Sequence, residues 1–122
     1  MSRTLFEKYG GFKSISRIVL TFYEMVLDSE RIGDHFENVD MTRLIDHQTK
    51  FIASLMGGPA SFSDERLEQV HRHLGIDDGD FDEVEALLAE ALEEHGVSAE
   101  DIRVIGAVIE TKRSLIVARR AA

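Results

Sequence analysis

Residues 41–74, MTRLIDHQTKFIASLMGGPASFSDERLEQVHRHL, hold two helix patterns separated by Gly57-Gly58-Pro59. Glycine permits a left-handed backbone, and proline biases the residue before it away from the α region. The two patterns therefore cannot run on as one helix. Each carries a histidine at an apolar-face position, His47 on the first and His71 on the second. An unsatisfied buried polar group costs about 1–3 kcal/mol, so the fold has to give those two imidazoles something to face.

The rest of the chain repeats the helical signal. Residues 3–9 form a short helix closed by Gly10-Gly11. Residues 12–28 follow, with Phe12, Ile15, Ile18, Val19, Phe22 and Val26 at helical spacings of three and four and Tyr23 at the stripe's edge. Asp34–Asn38 reads as a tight connector with Phe36 turned inward. Asp40 caps the helix 41–56, whose stripe is Leu44, Phe51, Ile52, Leu55 and Met56, with His47 and Gln48 where apolar residues would complete it. Ser63 caps a helix running to Leu74, in which Leu67, Val70, His71 and Leu74 share a face and Gly75 is the stop. Residues 79–95 and 99–118 complete the set, the last opened by Ser98 and Asp101 in capping-box spacing. No segment alternates like a strand. The fold class is all-α, one domain over residues 1–122 with five or six helices.

A net charge of −9 repels nucleic acid and anionic membranes, so neither is an expected partner. The acidic residues concentrate at 77–101 and read as one solvated face. With no cysteine there is no disulfide, thiolate nucleophile or cysteine-ligated metal. No apolar run is long enough to span a bilayer and the N-terminus lacks a signal-peptide core, which points to the cytoplasm.

His71 stands between Leu67, Val70 and Leu74, while His73 points elsewhere. A single histidine on an apolar stripe is usually bonded to a backbone carbonyl. Three more polar residues share the inward side, however: Tyr23, His47 and Gln48. Tyr23 and Gln48 could simply bond each other and pin two helices, and His47 could rotate outward beside Arg43 and Lys50. Zinc would need three or four close ligands, and no HExxH or tight His/Asp cluster is present. One histidine facing tyrosine and glutamine across an apolar gap suits a flat apolar cofactor such as haem, with an axial nitrogen on one side and a second ligand or hydrogen-bond donors on the other. GxSxG, Walker A and GxGxxG motifs are absent.

These residues resemble the group I truncated haemoglobins. The resemblance rests on Tyr9-Gly10-Gly11, Phe22-Tyr23 with Val26-Leu27, Phe36 before Val39-Asp40-Met41, His47-Gln48 with Phe51, and Gly57-Gly58-Pro59. Val70-His71, Gly75-Ile76 with Phe81, and Gly96-Val97 complete the ordered set. It implies a two-over-two helical sandwich around one haem b. His71 matches the proximal iron ligand, Tyr23 the tyrosine that donates a hydrogen bond to bound O2, and Gln48 a second distal donor. Leu44 stands where ordinary globins carry a distal histidine. Phe22, Phe36, Phe51, Ile52, Met56, Phe62, Leu67, Ile76, Phe81 and Val84 match apolar positions lining the haem.

His47 resembles the distal histidine that closes the sixth iron position in cyanobacterial-type members; the rival role is a bond to a propionate or to solvent. Those members also carry a histidine near the C-terminus that attaches to a haem vinyl. No histidine follows His95 here, so the haem is expected to be non-covalent. Arg43 and Lys50, with His73 or Arg72 opposite, are the cations for the propionates. The resemblance implies a protein, monomeric or weakly dimeric, that binds O2, NO or CO. It extends to NO dioxygenation, which needs a reductase partner. A six-coordinate redox or electron-transfer haem protein and a haem-free helical interaction module remain the alternatives.

Overall fold

The structure, a computed structural model, describes residues 4–58, 63–71 and 75–117, without the side chains of Arg66 and Val70. Among these residues the chain is helical and has no strand. Its elements are α1 (Leu5–Lys8), α2 (Gly11–Asp28), a 3-10 turn (Gly33–Phe36), α3 (Met41–Leu55), α4 (Asp64–His71), α5 (Asp78–Glu94), α6 (Ala99–Glu110) and α7 (Arg113–Ile116).

The helix α2 is the central element, packing on α3 and on α5. Its residues at spacings of three and four, Ile15, Ile18, Val19, Phe22, Tyr23 and Val26, are all buried. The pair α2/α3 and the pair α5/α6 thus form two layers with one apolar cluster between them, to which α5 adds Phe81, Leu88, Ala91 and Leu92 and α6 adds Ile105 and Ile109. Ile15 has no exposed surface at all. Truncating it to alanine is expected to cost about 2–5 kcal/mol, read as a lower denaturant midpoint with an unchanged m-value. Phe12 departs from the expected stripe: it is 40% exposed, its ring in edge contact with Phe6 at 4.9 Å, and it borders an open groove shared with Ile45 and Thr49 of α3.

The break after α3 forms as its residues require. The α3 N-terminus is capped by Asp40, whose carboxylate accepts the Arg43 N–H at 3.2 Å. At the other end Gly57 takes φ +85° and the Gly58 N–H donates to the Ala53 carbonyl at 2.8 Å. A Cβ on Gly58 would come within 2.7 Å of the Phe6 ring and 2.9 Å of the Ala53 oxygen. The glycine pair therefore both ends α3 and lets α1 dock on it, where the Phe6 N–H donates to the Met56 carbonyl at 2.8 Å. Pro59 and the last turn expected of the next helix, residues 72–74, lie outside the described residues.

Three further expectations change. The helix expected over 99–118 is interrupted: α6 ends at Glu110 and α7 begins at Arg113, whose guanidinium turns to Glu110, Asp78 and Asp82. The Ser98 hydroxyl caps α6 by accepting the Asp101 N–H at 3.2 Å, but the Asp101 carboxylate goes to Lys8 and Tyr9 instead of closing a box. Nor is the acidic stretch only a solvated face. Asp77 and Asp80 form a capping box on α5, and both bind Arg31, at 3.0 and 2.9 Å. Gly79 makes room for that guanidinium, which a Cβ there would meet at 2.1 Å. Ser29 also reaches α5, donating to Glu83 at 2.8 Å. The segment 29–36 is thereby stitched to α5, and Phe36 is set at its end.

Candidate functional site

Tyr23 is the polar group placed deepest in the core, at 4% exposure. It comes from the middle of α2, one residue out of the apolar stripe, and aromatic edges hold its ring: Phe22 at 4.8 Å and Phe36 at 5.8 Å. Burial pushes the phenol's pKa well above its ordinary value, and the bond to the Gln48 side chain acts in the opposite sense. Tyr23 therefore stays neutral and keeps its proton beside the Gln48 side chain.

Gln48 reaches Tyr23 from α3 across the α2/α3 contact. Around it Leu44 and Phe51 are half-buried, and Ile52 and Met56 are buried. Thr49 is buried too, but its hydroxyl donates to the Ile45 carbonyl at 2.7 Å and asks nothing of the site. His47 does not share the inward position of Gln48. It is exposed at the rim of α3, since one residue of helix turns it about 100° away.

The other wall is α4. Among the described residues it rests chiefly on α7 and not on α3. Leu67 is 8% exposed yet does not join the contiguous apolar cluster, and neither does half-buried Ile76. Phe81 is buried within that cluster, with Val84 half-buried against it. Of the expected apolar lining, Phe22, Phe36, Leu44, Phe51, Ile52, Met56, Phe81 and Val84 belong to that cluster or pack against it, and Leu67 and Ile76 do not. Phe62 lies outside the described residues.

His71 ends α4, half-buried. Its Nδ1 donates to the Leu67 carbonyl at 2.8 Å. A carbonyl only accepts, so the proton is on Nδ1 and the neutral ring keeps its lone pair on Nε2. Burial lowers the pKa of His71, the Leu67 bond opposes that, and the charge of His47 lowers it further. The two imidazoles are therefore within electrostatic reach of each other across the slot. A neutral imidazole oriented by a carbonyl on its other nitrogen is the form a metal takes up. This is the backbone-carbonyl bond expected of a histidine on an apolar stripe, and the structure adds which carbonyl and which ring nitrogen make it.

Of the cations expected at the mouth, Arg43 is exposed, while Lys50 is held by Asp46 at 3.1 Å. Lys50 also lines an open groove of about 460 Å³ between α2 and α3, on the flank of α3 formed by Thr42, Ile45 and Thr49. Arg72 and His73 lie outside the described residues. Among the described residues no three histidine or carboxylate groups converge on a metal. A metal held here by His71 must bring its remaining ligands with it, as a porphyrin does. The donor set fits haem: one prepared imidazole, the apolar residues named above, and buried Tyr23 beside half-buried Gln48. No helix among the described residues is long and apolar enough to cross a membrane.

The bacterial-like globin family model matches residues 4–117. The group 1 truncated haemoglobin of Tetrahymena pyriformis is 33% identical over 111 residues, covering 91% of this chain and 92% of its own. The chain belongs to the group 1 truncated haemoglobins. The group 1 protein of Synechocystis sp. is 34% identical over 109 residues, covering 86% of this chain and 88% of its own. The solved Fe(III) form of the Tetrahymena protein superposes on this truncated haemoglobin with a TM-score of 0.88 at 32% identity, covering 96% and 100% of the two chains. The 2/2 haemoglobin of Synechococcus sp., solved in the cyanomet state with covalently attached haem, gives 0.84 at 28% identity with the same coverage. The two helical layers are thus the two-over-two sandwich, and this truncated haemoglobin is a haem-binding globin that takes small gases such as O2.

Proposed function

We propose that the chain is a single domain that holds haem b non-covalently on His71 and retains a diatomic gas, O2 foremost, with Tyr23 and Gln48. The prepared tautomer of His71 carries the reading: Nδ1 is committed to Leu67 and Nε2 is left as the ligand atom. When bound, the haem supplies an iron with one coordination position for a gas. Tyr23 contributes an O–H that burial keeps protonated, and Gln48 fixes its direction. Phe22, Phe36, Leu44, Phe51 and Ile52 keep water out, so each donated bond acts in a low dielectric. Arg43 receives a propionate at the rim. The absence of any histidine after His95 supports non-covalent attachment, in contrast to the Synechococcus structure.

A second reading has His47 as a sixth ligand. What favours it is that His47, at the rim, lies close enough to His71 for its charge to oppose protonation of that ring. An absorption spectrum of the ferrous protein separates the two. A high-spin spectrum is expected for open His71 ligation. A low-spin spectrum that turns high-spin in His47→Ala would assign the sixth position to His47, and failure to take up haem at all would end both readings. NO dioxygenation would draw on the same donors and an external reductase. Catalytic nitrate formation with a reductant system supports it, whereas one nitrate per protein and no turnover argues against it.

A further inference from the structure

Buried Tyr23 is seated partly by elements other than its own helix. Gln48 meets it from α3, and the Phe36 ring meets it edge-on at 5.8 Å from the end of the 3-10 turn. Whatever holds that turn therefore bears on where the Tyr23 hydroxyl points. The turn's own backbone bonds are short-range: the His35 N–H donates to the Ile32 carbonyl at 3.1 Å and the Glu37 N–H to the Asp34 carbonyl at 3.4 Å. Such bonds shape a four-residue turn but do not fix its place against the next helix.

The place is fixed from α5. Arg31, two residues before the turn, donates from Nε to Asp80 at 2.9 Å and from Nη2 to Asp77 at 3.0 Å. Those carboxylates already close the capping box of α5, so they are prepared acceptors for a planar fork. Ser29 donates to Glu83 at 2.8 Å and accepts the Ile32 N–H at 3.3 Å, and Ile32 is buried in the core. His35, within the turn, sets its Nε2 at 3.8 Å from the second Asp80 oxygen. Gly33 lies so near the end of α2 that a Cβ there would come within 2.9 Å of the Leu27 oxygen.

We propose that Arg31 is a positioning residue for gas retention: by clamping the segment 29–36 to α5 it seats Phe36 against Tyr23 and so aims the Tyr23 hydroxyl. The proposal rests on the reading of Tyr23 as the donor to bound gas. The Arg31 side chain is itself half-exposed, and an exposed ion pair contributes little to stability, so its loss should leave the fold standing. The hydroxyl is different, because a hydrogen bond weakens steeply as its angle bends. A tilt of the ring therefore weakens retention without removing a donor.

The test compares Arg31→Gln, Tyr23→Phe and the double variant, all loaded with haem. In the diamagnetic ferrous CO form, the nuclear Overhauser effect between the Tyr23 and Phe36 rings should weaken in Arg31→Gln; an unchanged effect would overturn the seating. O2 release should be faster by about 2- to 30-fold, and CO release should move much less. In the Tyr23→Phe background the same substitution should no longer change O2 release, because no hydroxyl remains to be aimed. Equal acceleration of O2 and CO, or an acceleration that persists without the hydroxyl, would mark a general loosening of the pocket and overturn the proposal. Gly79→Ala tests the clamp with every charge kept: its Cβ would meet Arg31 Nη2 at 2.1 Å, while alanine is the better residue for the first turn of α5. It should speed O2 release in the same sense as Arg31→Gln, and unaltered release in both variants would overturn the proposal. The two readings fail separately. Unchanged O2 release in Tyr23→Phe removes the donor, whereas faster release there and none in the Arg31 and Gly79 variants removes the clamp alone.

Discussion

Replacing His71 by glycine should abolish stable haem uptake, and free imidazole should restore it. In the proposed reading the imidazole is the iron ligand, its Nδ1 already committed to the Leu67 carbonyl. Removing merely a ligand's hydrogen-bonding partner typically lowers metal affinity by about 10–100-fold, and removal of the ligand itself should exceed that. The secondary structure should survive. His71 is the last residue described in α4, and among the described residues its ring bonds the Leu67 carbonyl of its own helix. Leu67 loses one accepted bond there, and glycine costs roughly 1 kcal/mol against alanine in a helix. Far-ultraviolet circular dichroism of the variant apoprotein should therefore match that of the unaltered apoprotein, while the Soret band is missing. Added imidazole can enter the vacated space and bind the iron, but it cannot repair a misfolded helix, so recovery of the Soret band isolates the ligand role. Haem uptake by His71→Gly without imidazole would show that another group, His47 first, carries the haem.

The parts of this molecule that local spacing could reveal are those built from neighbours on one helix. The α2 stripe from Ile15 to Val26 is buried throughout because residues three and four apart share a face wherever the helix lies. The Asp40 cap and the Gly57-Gly58 stop are equally local. What stayed hidden depends on groups that meet only after folding. Arg31 sits 46 and 49 positions from the aspartates it binds, and Arg113 sits 35 and 31 positions from Asp78 and Asp82. From composition alone those carboxylates look like solvated charge; in the fold they cap α5, fix the segment ending at Phe36 and anchor α7. Phe12 shows the converse. Its spacing is right for the stripe, yet it stays 40% exposed at the edge of the groove between α2 and α3, and no periodicity can report where a neighbouring helix leaves a gap. In the site, Tyr23 and Gln48 are brought together as their positions suggested, whereas His47, adjacent in sequence to Gln48, lands on the rim. A single residue on a helix decides between a slot and its edge, and an apolar stripe too broad to fix that rotation leaves it open.

Tyr23→Phe should accelerate release of O2 far more than it slows binding. The hydroxyl is buried and protonated, and the surrounding rings exclude competing water. A hydrogen bond to an acceptor carrying charge contributes about 1.5–3 kcal/mol, so its loss should raise the dissociation rate roughly 10- to 100-fold. Association should change little, because binding depends on access to the slot and the phenyl ring keeps the same shape. Carbon monoxide, which gathers much less charge than O2, gives the internal control: its dissociation rate should move far less, and an equal acceleration of both gases would assign Tyr23 a steric role. Gln48→Leu should accelerate O2 release less than Tyr23→Phe, since Gln48 acts partly by aiming the hydroxyl. The double variant should then fall short of the product of the two single effects, as residues sharing one bond are not additive. Stopped-flow displacement of O2 by CO measures all four proteins on one scale. Full additivity would separate the two residues and leave Gln48 with a direct contact of its own.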